Sequence, residues 1–399
     1  MRVTFQSSLR GVAAFFVVAA GLIACGGGGS SSTSADFGAT SFTAGPITGF
    51  GSVIVNGVRF DDSSARVSDD DGQIRDRGEL KLGMVAEVRG GPLADDDRGR
   101  HAEAHDIAFR SELVGPVGSV DLTARTLTVL GQVVDVTATT VFDDRLSAGL
   151  AGVTVGSIVE VYGMLDTANG HFTATRIEPK ANAASFKVRG IVAGLDSTAR
   201  TFQIGGQTIS YAGLDASLVP ATLANGILVR VRLQTAQVGG AWVATQLRDV
   251  SRRVEDRDEA QIKGRITAFT SVTQFSVDGI QVDASGASFP KGTAGVVLGA
   301  RVEVEGRASA GVIIASKVAV ETEDDARRGE FELHGTISAL DTATKIFTLR
   351  GLTVDFGVQT VLFKDGTANN LANGAQIEVK GTLSSDGTRI IATIIEFEH

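Results

Sequence analysis

Apolar and polar residues alternate most clearly in segment 299–306, Gly-Ala-Arg-Val-Glu-Val-Glu-Gly. Val302 and Val304 occupy one side of the alternation, and the charged residues occupy the other. A period of two predicts a half-buried β-strand whose apolar face packs against a core. Glycines at both ends are typical of strand ends, where a turn or bulge needs backbone angles that other residues avoid.

This frame recurs along the chain and identifies internal repeats. Copies lie at 83–90, 156–163 and 374–381, and a degenerate copy lies at 226–233. The degenerate copy carries Arg230 in place of the central glutamate and Leu233 in place of the second glycine. With the copy at 299–306, the chain contains five repeats.

The sequence pattern within each repeat predicts five or six short strands. A strand with a glycine opens it, a hairpin and a second glycine-led strand follow, and a variable loop leads to the frame. In the last strand an alanine precedes an aliphatic residue by three positions, as in Ala104 and Ile107. A twisted antiparallel sheet of roughly 70 residues removes its edges by closing on itself. We therefore predict an all-β protein of five tandem, small antiparallel OB-like barrels or rolls, at 46–112, 113–182, 185–253, 260–322 and 330–399.

Charged segments separate the later repeats, at 252–259 and 321–328. Charge runs are typical of solvated linkers. They predict an array that is jointed between the third, fourth and fifth repeats, although domains this small gain stability by packing on neighbours.

The N-terminus predicts export. Arg2 and Arg10 precede a thirteen-residue apolar run at 11–23, which suits a signal peptide and is too short for a spanning helix. The run ends in Leu-Ile-Ala-Cys, which resembles the bacterial lipobox. The resemblance implies a lipoprotein signal peptide at 1–24 and fatty acyl chains such as palmitate on Cys25. The alternative is a plain secretory signal with an accidental cysteine.

Segment 25–45 predicts a lipidated cysteine followed by a flexible Gly/Ser tether, because it contains Gly-Gly-Gly-Gly-Ser-Ser-Ser-Thr-Ser and almost no charge. Several acyl chains would anchor the protein stably to a membrane. Gly26, which stands where an aspartate would favour inner-membrane retention, indicates the outer rather than the inner membrane of a Gram-negative cell.

The composition limits the classes of partner that the protein is expected to bind. A formal net charge of −9 argues against binding nucleic acid. The single cysteine excludes an intramolecular disulfide. Carbohydrate binding favours exposed tryptophan and tyrosine, and the chain contains only Trp242, Tyr162 and Tyr211.

The complete frame, from the opening glycine strand through Gly-x-x-Val-Glu-Val-x-Gly to the Ala-x-x-Ile strand, resembles DUF5666, a bacterial domain of unknown function. The resemblance covers about 46–399; it is good in repeats two, four and five, fair in three and weakest in one. It implies a fold and transfers no functional residue.

Two segments of the first repeat suggest metal ligands. Asp69-Asp70-Asp71-Gly72 resembles a calcium loop, but the spacing fails the EF-hand pattern, so we favour a solvated acidic loop, with weak Ca²⁺ binding as the alternative. His101, Glu103 and His105 share one face of a strand and offer Zn²⁺ ligands, but we favour exposed strand-face histidines without a metal.

The repeated glutamates Glu87, Glu160, Glu303 and Glu378 suggest acid/base groups. General acid/base chemistry needs carboxylates that face one site, and each repeat supplies only one. We therefore predict a surface position on a strand for each of them.

These patterns favour a non-enzymatic, lipid-anchored cell-envelope protein that presents tandem β domains as a spacer or interaction scaffold. We expect no catalytic residue, no cofactor and no nucleic acid; the membrane is contacted through Cys25, and an envelope protein or polysaccharide is the partner. The alternative is a Ca²⁺- or Zn²⁺-binding envelope module with the first repeat specialised for the ligand.

Overall fold

The structure is a computed structural model that describes residues 40–250, 252–322, 325 and 330–398. These residues form thirty β-strands and five short 3-10 helices, which confirms the predicted all-β class. Among them, no helix has the length and apolar character needed to cross a membrane. The predicted signal peptide, Cys25 and the Gly/Ser run at 26–34 lie outside the described residues.

The first repeat contains β1 (Ser41–Phe50), β2 (Val53–Val55), β3 (Val58–Asp61), β4 (Arg66–Asp69), β5 (Val85–Gly90), β6 (Ala94–Asp96) and β7 (Gly99–Arg110). The second contains β8 (Leu113–Asp121), β9 (Thr126–Val129), β10 (Gln132–Phe142), β11 (Ile158–Asp166) and β12 (His171–Pro179). The third contains β13 (Phe186–Ile191), β14 (Ala193–Asp196), β15 (Thr201–Ile204), β16 (Gln207–Ser210), β17 (Leu228–Val238) and β18 (Ala241–Asp249).

The fourth repeat contains β19 (Arg257–Ser271), β20 (Gln274–Val277), β21 (Ile280–Asp283), β22 (Arg301–Ser309) and β23 (Val312–Val320). The fifth contains β24 (Phe331–Thr336), β25 (Ser338–Asp341), β26 (Ile346–Leu349), β27 (Leu352–Asp355), β28 (Leu362–Lys364), β29 (Gln376–Leu383) and β30 (Arg389–Phe397). The 3-10 helices are Arg77–Glu79, Asp144–Leu146, Gly149–Gly152, Ala216–Leu218 and Ala368–Asn370.

Strand pairing closes each repeat into a small barrel-like sheet. In the second repeat β8 pairs with β9, β9 with β10, β10 runs parallel to β12, β12 pairs with β11, and β11 returns to β8. The same ring recurs in the other four repeats, for example through the parallel pairs β3–β7 and β21–β23. Closure leaves few unpaired edges. The domain bounds and the OB type stay predictions.

The two glycines of the frame have different physical roles. The first adopts positive φ in every repeat, as at Gly299 with φ 81°, so it makes the turn into the strand. The second lies at a β-bulge: a Cβ on Gly306 would stand 2.1 Å from the carbonyl oxygen of Ile314. In the third repeat, Leu233 fills this place and the strand shifts register again before Gln237.

The same bulge explains the alanine–aliphatic spacing of the last strand. Gly163 pairs with Ala174 and Tyr162 with Arg176, so Thr175 is skipped by the register. One skipped residue lets Ala174 and Ile177 both point into the core, although their odd spacing would place them on opposite faces of a regular strand. The skipped residues are His105, Thr175, Thr245, Ser316 and Thr393.

The apolar cores cross the repeat boundaries. One cluster combines buried side chains of the second and third repeats. Tyr162 of the second repeat packs in the core of the first, and Leu82 of the first packs in the core of the fifth.

Strands also pair between repeats. The start of β1 runs parallel to β19 in the fourth repeat, and its end runs parallel to β24 in the fifth. β8 pairs with β13, which joins the second repeat to the third. Strand β1 therefore links repeats that are distant in the sequence.

Two sequence expectations are corrected here. The tether predicted to run to residue 45 ends earlier, because β1 begins at Ser41 and buries Phe42 and Ala44. The charged segment 252–259 is not a solvated linker, because Val254 is buried and β19 begins at Arg257. In the other charged segment, Glu321 pairs with Lys263 and Arg301, while 323–324 and 326–328 lie outside the described residues.

Candidate functional site

One cross-strand pair lies on the outer side of four of the five barrels. In four repeats the residue before the opening glycine lies directly across from the centre of the frame. We call these residues the outward pairs. They are Val114 with Glu160, Arg189 with Arg230, Lys263 with Glu303, and His334 with Glu378.

The frame glutamates do not occupy exposed strand faces, contrary to the prediction. Glu160 is only 7% exposed, accepts a hydrogen bond from the Ser111 hydroxyl and pairs with Lys180 at 2.6 Å. Glu87 pairs with Arg252 from beyond the third repeat. The reason for the difference is that ion pairs cover these carboxylates: the partner comes from another part of the chain for Glu87 and from the same repeat for Glu160 and Glu378.

The outward pair of the third repeat consists of two arginines, which would repel each other without acidic partners. Arg189 donates to both carboxylate oxygens of Glu112, at 3.0 and 2.8 Å. Arg230 pairs with Asp70 at 2.6 Å and with Asp71 at 3.0 Å. Carboxylates from the first repeat and from the segment that follows it therefore neutralise the two arginines of the third repeat.

The acidic loop at Asp69–Asp71 holds repeats together instead of projecting into solvent as predicted. Asp69 accepts hydrogen bonds from the amides of Asp71 and Gln73 and from the Arg75 guanidinium. Burial alone would raise the pKa of Asp70, but the charges of Lys187 and Arg230 outweigh it and lower the pKa. The three carboxylates are close enough to hold a cation, yet each already faces an arginine or lysine.

A second ionic network surrounds Glu112, whose side chain is fully buried. Arg110 contacts Glu112 at 3.4 Å and Asp278 of the fourth repeat at 3.1 Å. Arg252 belongs to the same network because it pairs with Glu87. Burial lowers the pKa of Arg252 to about 10, although the charge of Asp278 raises it, so Arg252 stays protonated at neutral pH. Buried charges require partners of opposite charge, which these residues supply to one another.

The predicted zinc ligands lie on β7 but do not converge. His101 faces Asp96 at 3.5 Å, and Glu103 accepts a hydrogen bond from Ser64. His105 is the skipped bulge residue, so the alternation that would align it with the other two is broken. Within the described part of the chain, these three side chains form no group of gathered metal-ligand atoms.

A histidine–carboxylate cluster occurs instead in the fifth repeat. Nε2 of His334 lies 3.1 Å from Glu332 and 3.4 Å from Glu378, and Nδ1 lies 2.7 Å from Glu398. Lys380 contacts Glu332 at 3.2 Å and Glu378 at 3.1 Å. Strands β24 and β29 position the cluster by pairing His334 with Glu378 and Glu332 with Lys380.

The electrostatics favour positive charge at the imidazole. Burial alone would lower the pKa of His334, but hydrogen bonds with Glu332 and Glu398 and the charge of Glu378 raise it. Burial likewise opposes ionisation of Glu332, yet His334 and Lys380 lower the pKa of Glu332 to about 2. Glu332 is therefore ionised at neutral pH.

Sequence reasoning missed His334. A Cβ on Gly51 would stand 2.5 Å from the Cβ of His334, so the chain of the first repeat passes directly over the histidine. The repeats contain a pattern that could have indicated His334. The residue before the opening glycine differs in each repeat, and in most repeats the frame glutamate lies across from it.

These features define a tandem-repeat, all-β protein whose repeats close into barrel-like sheets. The family model described as "Domain of unknown function (DUF5666)" matches residues 114–178, 263–319 and 334–396. The chain therefore carries tandem DUF5666 domains, as the sequence frame predicted. The matched segments lie in the second, fourth and fifth repeats.

A solved structure titled "drosophila Unr CSD456" is similar at 16% sequence identity, over 43% of this chain and 79% of that chain, with a TM-score of 0.16. No curated protein matches the chain.

Proposed function

We propose that the chain is a non-enzymatic, lipid-anchored protein of the bacterial cell envelope, and that its β repeats act together as an interaction scaffold. The lipobox-like sequence before Cys25 supports the anchor. The observation that carries the scaffold is the bridging position of β1, which pairs with both β19 and β24. Repeats that share strand pairing and buried ion pairs move together, so we propose a scaffold rather than an extended spacer.

The aromatic residues favour an envelope protein over a polysaccharide as the partner. Stacking on sugar rings would use exposed tryptophan or tyrosine, whereas Trp242, Tyr162 and Tyr211 are all buried. The net charge of −9 favours a partner with a basic or neutral surface.

The anchor is tested by fractionation of cells that express the wild type or Cys25→Ala. We expect the wild type in the outer-membrane fraction, with processing that globomycin blocks, and the variant outside the membrane fraction. Gly26→Asp retains the lipidated cysteine and serves as the control, with a shift toward the inner membrane. A Cys25→Ala protein that stays membrane-bound contradicts the anchor.

The scaffold is tested by introducing a protease site between Glu255 and Asp256, both exposed residues that precede β19. Because β1 pairs with β19 and β24, we expect the two fragments to remain associated in gel filtration after cleavage. Fragments that separate at moderate salt would indicate a spacer of independent domains.

A further inference from the structure

The two ring nitrogens of His334 have different surroundings. Nδ1 lies 2.7 Å from Glu398, within the ~2.7–2.9 Å of a charge-assisted hydrogen bond. Nε2 lies 3.1 and 3.4 Å from oxygens of Glu332 and Glu378, beyond that range. The contacts at Nε2 are therefore longer than the contact at Nδ1.

The Nε2 spacing suits ligands of one metal ion. Zn²⁺ binds imidazole nitrogen and carboxylate oxygen at about 2.0–2.2 Å, which places two ligand atoms of a tetrahedral site about 3.3 Å apart. Metal-binding histidines usually donate their other ring N–H to a carboxylate, which is the position of Glu398 here.

Lys380 orients the two glutamates toward the histidine. It contacts Oε2 of Glu332 and Oε1 of Glu378, so Oε1 of Glu332 and Oε2 of Glu378 remain directed at Nε2. With a neutral imidazole, three carboxylates and one ammonium leave two negative charges uncompensated. A divalent cation balances them, whereas a single proton does not.

A cavity of about 460 Å³ leads to the cluster and is lined by His334, Glu398, Gly51, His101 and Asp96, among others. It provides a path for an ion and for the waters that complete its coordination. The lining from the first repeat includes His101, one of the two histidines that the sequence singled out.

We propose that Glu332, His334 and Glu378 bind a divalent transition-metal ion of the Zn²⁺ type through Nε2 and two carboxylate oxygens, with Glu398 as a positioning residue. Imidazole together with carboxylate favours Zn²⁺ over Ca²⁺, which prefers oxygen ligands alone. The site joins the first and fifth repeats, because Glu332 pairs with Gly49 of β1. It is independent of the lipid anchor and of the scaffold function.

The test is calorimetric titration of Zn²⁺ into the full chain, purified in detergent and treated with EDTA. We expect one Zn²⁺ per chain, with affinity reduced about 100-fold or more in His334→Gln and Glu378→Gln, and about 10- to 100-fold in Glu398→Gln. Co²⁺ should give a d–d absorption spectrum that His334→Gln loses.

His171→Gln is the matched control, because His171 faces only Asp135, at 3.2 Å, and should bind Zn²⁺ like the wild type. Thermal unfolding in EDTA shows whether each variant is folded, and Glu332→Gln provides a second ligand variant if His334→Gln is not. Absence of Zn²⁺ binding by the wild type, or unchanged binding by the folded ligand variants, overturns the proposal.

Discussion

The third and fifth repeats use the same outward pair in opposite ways. In the third repeat Arg189 and Arg230 depend on acids supplied by the first repeat and its following link. In the fifth repeat His334 and Glu378 find partners within their own barrel, in Glu332, Lys380 and Glu398. The glycine and aliphatic frame sets the barrel, whereas the outward pair determines what the barrel contacts.

Arg230→Glu gives the strongest test of this difference, since it restores the frame residue of the other repeats. The new carboxylate would lie beside Asp70 and Asp71, and only Lys187 and Arg232 would remain as their cationic partners. We expect a loss of about 3–5 kcal/mol in the free energy of unfolding, measured with urea.

Arg307→Glu is the matched control, because Arg307 is an exposed residue of β22. Adding Asp71→Lys to Arg230→Glu should recover part of the loss. Equal stability of Arg230→Glu and Arg307→Glu would show that the third repeat does not depend on the first.

Gly306→Ala should have the next largest effect. The added Cβ would collide with the Ile314 carbonyl at the bulge that all the barrels share. We expect a loss of about 2–3 kcal/mol, near the upper end for single substitutions, seen as a lower thermal midpoint. Gly91→Ala, where a Cβ would meet nothing within 4 Å, should be close to neutral. An unchanged stability of Gly306→Ala would mean that the fourth repeat accommodates the side chain by a second register shift, as the third repeat does after Leu233.

His334→Gln should have the smallest effect on stability without metal, below about 1 kcal/mol, and the effect should depend on pH. The raised pKa means that the charged imidazole stabilises the fold below its ordinary pKa of 6.5, and that this stabilisation is lost as pH rises through the folded pKa. The groups that face it are Glu332, Glu378, Glu398 and Lys380, with Arg350 donating to its main-chain oxygen.

Thermal midpoints of the wild type and His334→Gln, measured in EDTA between pH 5 and 9, should therefore differ most at the acid end and converge at the alkaline end. His171→Gln supplies the comparison for a histidine with one carboxylate partner. A difference that grows with pH would contradict the assigned direction.

The barrel-like fold could be predicted from the sequence because it depends on patterns of neighbouring residues. Alternation located β22, and the glycine at 299 marked the positive φ that only glycine adopts freely. The alanine–aliphatic spacing was visible too, but its cause, a skipped residue such as Ser316, requires knowledge of the partner strand.

The packing of the barrels against one another could not be predicted, because the sequence does not distinguish a charged residue in solvent from one in a buried ion pair. Arg230 appeared to be a departure from the frame, and together with Lys187 and Arg232 it contacts the first repeat. His334 was hidden for a related reason: its carboxylate partners are 44 or more residues distant, except for Glu332. Cross-strand register alone brings them together.

The bridging position of β1 also constrains how the chain acquires its structure. Thr40 and Asp258, which meet where β1 joins β19, are 218 residues apart in sequence. Strand β1 therefore completes its pairing only after the fourth and fifth repeats have been synthesised, and contacts of such high sequence separation slow folding. Until then β1 has open edges that invite pairing with other chains, so aggregation of newly made protein competes with folding at its N-terminal end.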